Sequence, residues 1–342
     1  VICGLSFFET VALFVSGIDA SNTATNAVIG EAAGKLMRSD QPREQALGLY
    51  VQARLAGMDA TSIITRCIGD ADKDCFTKTY VGQSQQRAAA SEPLVKLAEA
   101  SRDPGIYAAA LYACGGDHSG TCGSISYAAW ARMEPNNAAA WMLTAYAADD
   151  DAERNAALER AVAASGYDLH APALVSLLNI DTFKSQSPVS QHQIGNALLG
   201  MNLASNASPT WALSKLCKRS DVSDEARKAT CATLANRLLA HDEGVDALSE
   251  MASIGKRLGL GEVKLRALQD ESALLSGLRW DVISKPAKDL FSCEAFASGK
   301  QYTELLLANG ERAAGRDFVS RSGKTLSELA NQYRKKYPGW IP

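Results

Sequence analysis

From Ser21 onward, apolar positions recur at three- and four-residue intervals between short polar stretches, and no strand-length alternation of apolar and polar residues persists. The pattern predicts a succession of short amphipathic helices. Pro42 suits the first turn of one that runs to about Ala56, with Ala46, Leu47, Leu49, Tyr50 and Leu55 as its apolar positions. A longer helix is expected over Gln85 to Ala100, interrupted by Pro93, with a new helix beginning at Pro93 as the alternative. Pro104 opens a helix from Gly105 to Ala113, and Gly123 to Met133 is expected as its partner. The turn Pro135-Asn136-Asn137 leads into a helix from Ala138 to Ala148. Asp149, Asp150 and Asp151 then put negative charge at the start of a helix through Ala164. Further helices are expected over 169–178, 191–204, 209–217, 224–240, 245–258, 262–278, 290–308, 311–320 and 326–336. Thr325 and Glu328 form a capping-box pattern ahead of the last.

The expected fold is all-α, with stacked antiparallel helical hairpins forming an irregular α-solenoid. Residues 1–20 read as an apolar N-terminal segment, 21–280 as a helical-repeat array and 281–342 as a C-terminal helical cap. Within the first segment, Val1 to Gly17 is interrupted by Ser6, Glu9 and Thr10 and falls short of a bilayer span. It reads as a buried first helix, with a targeting remnant or an assembly surface as alternatives. No transmembrane helix is expected.

Composition sharpens the helical reading. The chain has 342 residues, of which 57 are alanine and 37 leucine, so small and straight-chain helix formers predominate. A hydrophobic content of 46% argues against disorder, and a net charge of −3 removes the basic footprint of a nucleic-acid binder. The eight cysteines change the picture most. Cys67 and Cys75, and Cys114 and Cys122, each enclose seven residues that are polar and turn-forming. Each pair flanks the foot of an expected hairpin, where a disulfide fits. Cys217 and Cys231 fit a third hairpin around 220–223, leaving Cys3 and Cys293. Metal binding prefers closer couples, and reduced core cysteines are the remaining alternative. Oxidised hairpins imply a periplasmic or secreted location.

Around Pro135 the spacing becomes more specific. Trp141 follows six residues later, and small residues stand at Ala145, Ala157 and Ala164. This stretch resembles the tetratricopeptide repeat, in which a proline closes one unit and an aromatic and small residues pack the next. In the preceding unit, Tyr107, Gly123 and Tyr127 match partially, with Leu111 and Trp130 where small residues are usual. Ala148 and Ala161 replace the family's aromatics, and Leu169 its closing proline. The likeness covers about 107–164. The cysteine-bounded loops resemble those of secreted, cysteine-rich helical-repeat proteins. The resemblance implies a scaffold fold and a binding role, with Pro135, Trp141, Ala145, Ala157 and Ala164 as packing positions.

Catalytic signatures are sparse. Ser322-Gly323-Lys324-Thr325 ends like a phosphate-binding loop, but Phe318 stands where its first glycine belongs. The segment 269–273 resembles the Glu-Ser stretch of lytic transglycosylases, which would make Glu271 a general acid, although Gly277-Leu278-Arg279-Trp280 departs from their downstream signature. The four histidines are scattered, and His170 and His241 fall near expected helix ends. Arg334, Lys335 and Lys336, with Tyr337 and Trp340, suit a helix C-terminus. The expected function is non-enzymatic binding of a protein or peptide partner, without cofactor or metal. A cell-wall glycan-cleaving enzyme is the alternative.

Overall fold

The computed structural model describes residues 17–56, 75–115, 120–170, 180–183, 185–186, 191, 194–195, 197, 209–217, 225–241, 244–283, 304–306 and 309–339. Within these the protein is all-α, and the only extended pairing is an isolated bridge between Asn137 and Gly166. Its contacts divide the chain into two compact units. The first comprises Val1–Met133 and Leu169–Asn206, the second Glu134–Asp168 and Ala207–Pro342.

In the first unit, helices adjacent in sequence pack on one another: α1 (Gly17–Leu36) on α2 (Pro42–Ala56), α2 on α3 (Cys75–Ser101), and α3 on α4 (Pro104–Cys114). Pro42 and Pro104 each stand at the start of a helix, where a missing N–H costs nothing. Asp103 caps α4 by accepting hydrogen bonds from the Gly105 and Ile106 amides. Ile29, Ala33, Leu47, Tyr50, Leu94 and Ile106 fill the core. Pro93 lies inside α3 without ending it, and the helix begins at Cys75, ahead of the Gln85 start expected from sequence. The helix expected over Gly123 to Met133 is shorter. A 3-10 turn occupies Gly120–Ser124 and α5 runs over Tyr127–Met133. Ser126 resets the start: its side chain accepts from the Ala129 amide at 3.2 Å, while its own amide donates to the Tyr107 hydroxyl at 3.2 Å.

The second unit opens with α6 (Ala138–Ala147) packed on α7 (Asp151–Ala163). Then follow α8 (Pro209–Cys217), α9 (Glu225–Ala240), α10 (Val245–Gly255), α11 (Glu262–Ile283), α12 (Glu311–Ser322) and α13 (Leu326–Lys336). Helix α8 contacts α6, α9 and α10, whereas α11 contacts α10, α12 and α13. The capping box before α13 is present, with the Thr325 amide donating to Glu328 Oε2 at 2.8 Å. Gly323 closes α12 in the left-handed region, so the glycine and threonine of the phosphate-loop-like stretch serve as helix caps. Helices expected over 169–178, 191–204 and 290–308 lie largely outside the described residues, as do most of residues 1–20.

Candidate functional site

Two of the three expected cystine clamps are in place. Cys114, the last residue of α4, is bonded to Cys122 in the 3-10 turn, with Cα atoms 5.8 Å apart. Cys217, the last residue of α8, is bonded to Cys231 on α9 across 6.0 Å. The Cys67–Cys75 pairing and the residues Cys3 and Cys293 lie outside the described residues.

The repeat-like positions meet at the start of the second unit. The Trp141 indole N–H donates to the Pro135 carbonyl at 2.9 Å, and the Arg160 guanidinium stands 4.7 Å over the Trp141 ring. Ala145 on α6 is fully buried, with Ala157 on α7 and Ala164 just beyond it nearly so. Asn137 latches the two ends of this hairpin together. Its side chain caps α6 through the Ala139 amide, donates to the Asp168 carbonyl at 2.8 Å and accepts from the Asp168 amide at 3.1 Å.

Trp141, Tyr146 and Tyr107 are aromatic residues at helical spacing that differ in exposure. Trp141 and Tyr107 are buried, whereas Tyr146 on α6 is 37% exposed. Beside it stands Trp211 on α8, 39% exposed, its ring edge-on to Tyr146 at 4.9 Å. Lys215, one turn further along α8, holds its ammonium 5.3 Å from the Trp211 ring centre. Within α8, Ala212, Leu213 and Leu216 are buried, and Ser214 donates to Glu250 at 2.5 Å, so the opposite side of the helix is fastened down. The Cys217–Cys231 bond secures its end. The result is an exposed aromatic pair contributed by two packed helices, α6 and α8. Trp211 lacked any sequence motif, and only its four-residue spacing from Lys215 hinted at a shared face.

Glu271 has a different setting. Both its oxygens accept from Arg312, from Nε at 2.8 Å and from Nη2 at 2.9 Å, while Arg312 Nη1 donates to the Leu239 carbonyl. The pair borders a cavity of about 160 Å³ lined also by Leu274, Leu275, Val319 and Leu326. Neighbouring charges on α11 are similarly engaged. Asp270 accepts from Arg334, and Asp281 accepts from Lys336, Tyr333 and Tyr337. Burial and the Asp281 carboxylate push the Tyr333 hydroxyl far above the ordinary tyrosine pKa. Arg334 and Lys336 of the basic tail thus serve contacts between α13 and α11.

No group of His, Cys, Asp or Glu among the described residues is arranged to hold a metal ion. No helix of the described residues is long and apolar enough to cross a membrane. Family models, curated proteins and solved structures offer no match to the chain.

Proposed function

We propose that the protein is a non-enzymatic binding or scaffold protein of the tetratricopeptide-like helical-repeat type, an irregular α-solenoid clamped by disulfides in a periplasmic or secreted setting. Its partner is a protein or peptide. The observation that carries this reading is the Tyr146–Trp211 pair with Lys215 alongside. Aromatic side chains supply large contact area at low entropic cost and dominate binding hot spots. Sequential packing of neighbouring helices within each unit and the two hairpin disulfides support the scaffold and the compartment. A glycan-cleaving role for Glu271 has less support, because the Arg312 fork occupies both carboxylate oxygens.

The test compares the intact protein with the Tyr146→Ala/Trp211→Ala variant, both immobilised in oxidised form and exposed to material from the source organism. The parent retains a specific partner that the double variant loses at unchanged helicity and melting temperature. A double variant that retains every partner of the parent contradicts the reading.

A further inference from the structure

One face of α11 carries Glu271, Leu274 and Leu275 at helical spacing, and one face of α12 carries Arg312, Gly315 and Val319 in the same way. The two faces meet. A Cβ on Gly315 would collide with the Leu275 side chain, so glycine lets the two backbones approach there. Leu326, the first residue of α13, completes the wall. Between them these residues leave a hollow of about 160 Å³.

Protein interiors are close-packed, and voids larger than a water molecule are few. Leu274 and Leu275 are buried and form the floor of this one. Water gains little by filling it, because a buried water needs about two to four polar partners and Leu274, Leu275, Val319 and Leu326 offer none. An engineered leucine-lined cavity of about 150 Å³ in another protein stays dry and takes up benzene, which sets the size of a fitting guest. Access comes from the rim. Arg316 is exposed there, and Leu326 also borders a broader cleft of about 650 Å³ beside Val263, which is 86% exposed. One wall is polar. An ionised carboxylate accepts at about four lone-pair positions, and the Arg312 fork takes two of those on Glu271. A guest ring that carries an O–H or N–H therefore finds an acceptor beside the leucines.

We propose that this hollow is a binding site for a small neutral molecule, one benzene-sized ring with a single O–H or N–H donor, the ring against the leucines and the donor toward Glu271. Phenol is the simplest member of that class. The site shares no residue with the Tyr146–Trp211 pair and does not rest on it.

The experiment is isothermal titration calorimetry of the full oxidised chain with phenol and with toluene at neutral pH. The intact protein binds phenol saturably, at least as tightly as toluene, because a wholly apolar hollow would reject the hydroxyl. Val319→Phe fills the hollow and weakens phenol binding about tenfold or more, with the melting temperature in buffer unchanged or higher. Val319→Ala widens the hollow and shifts preference from phenol toward naphthol, a readout that stands even if Val319→Phe fails to fold. The Tyr146→Ala/Trp211→Ala variant keeps the parent's phenol affinity. Absence of saturable phenol binding in the parent overturns the proposal, as does uptake of toluene with phenol excluded. Parent-like phenol affinity in Val319→Phe, an unchanged ring-size preference in Val319→Ala, or loss of phenol binding in Tyr146→Ala/Trp211→Ala overturns it by placing the guest elsewhere.

Discussion

Glu311 is 3% exposed, yet its carboxylate accepts two hydrogen bonds from Arg279 and one from the Val245 amide at 2.7 Å. One side chain therefore ties α12 to α11 and to the start of α10. Glu311→Gln leaves Arg279 without its anion, and loss of one partner from a buried pair costs about 3 kcal/mol. Urea denaturation monitored by circular dichroism should show that loss, whereas a change under 1 kcal/mol would remove the pair from the stability account (a threshold about the size of a surface pair). Asp103 makes a second prediction, with a defined pH sign. Burial raises its pKa, but the Arg43 hydrogen bond, the Ile106 and Gly105 amides and the Arg43 charge outweigh burial and hold it below the ordinary value. The resulting stability is present above the unfolded aspartate pKa of about 4 and is lost as pH falls through the lower folded value. Asp103→Asn keeps a capping oxygen but loses this dependence. The stability gap between parent and variant should thus be open at pH 7 and narrow on acidification below about pH 4. Such residue-scale partners were not legible in sequence, since Asp103 and Arg43 are 60 positions apart and Glu311 and Arg279 are 32 apart.

Helix pairing rests on places where a side chain is missing. At the α1–α2 crossing, a Cβ on Gly48 would fall 2.6 Å from the Ala33 carbonyl oxygen. Between α11 and α13, a Cβ on Gly277 would collide with the Tyr333 ring. Gly277→Ala therefore forces the two helices apart at a buried contact, an overpacking typically worth about 1–3 kcal/mol. Its melting temperature should fall, and an unchanged value would show that Tyr333 moves aside freely. Element starts were readable where local chemistry decides them: Pro42, Pro104 and the Thr325/Glu328 box each sit where a helix begins. Where tertiary partners decide, sequence failed. Gly123 to Ser124 are not α-helical because the Cys122 bond and the Ser126 cap claim that stretch, and Pro93 is accommodated inside a long, packed α3.

For the molecule as a whole, the all-α class was legible from period and composition, because alanine-rich helices leave room for close helix–helix approach. The candidate binding surface was legible only in part. Tyr146, Trp141 and Tyr107 share one aromatic, helix-spaced signature that reads as core, and Tyr146 alone of the three is exposed. Burial depends on which helices pack against each face, which a single chain pattern does not state. The cystine spacing, in contrast, carried through to bonded pairs at two hairpins. Each bond closes a short loop, so removing one by paired Cys→Ala substitution is expected to cost about 2–3 kcal/mol. Loss of Cys217–Cys231 should also weaken partner capture, because it frees the end of the helix that carries Trp211. The most direct test of a disulfide-clamped helical scaffold is non-reducing peptide mapping by mass spectrometry of the natively produced protein, alkylated before digestion. The account predicts linked peptides joining Cys114 to Cys122 and Cys217 to Cys231 and at most about two alkylated cysteines per chain. Alkylation of all four of these cysteines in the folded protein would contradict it.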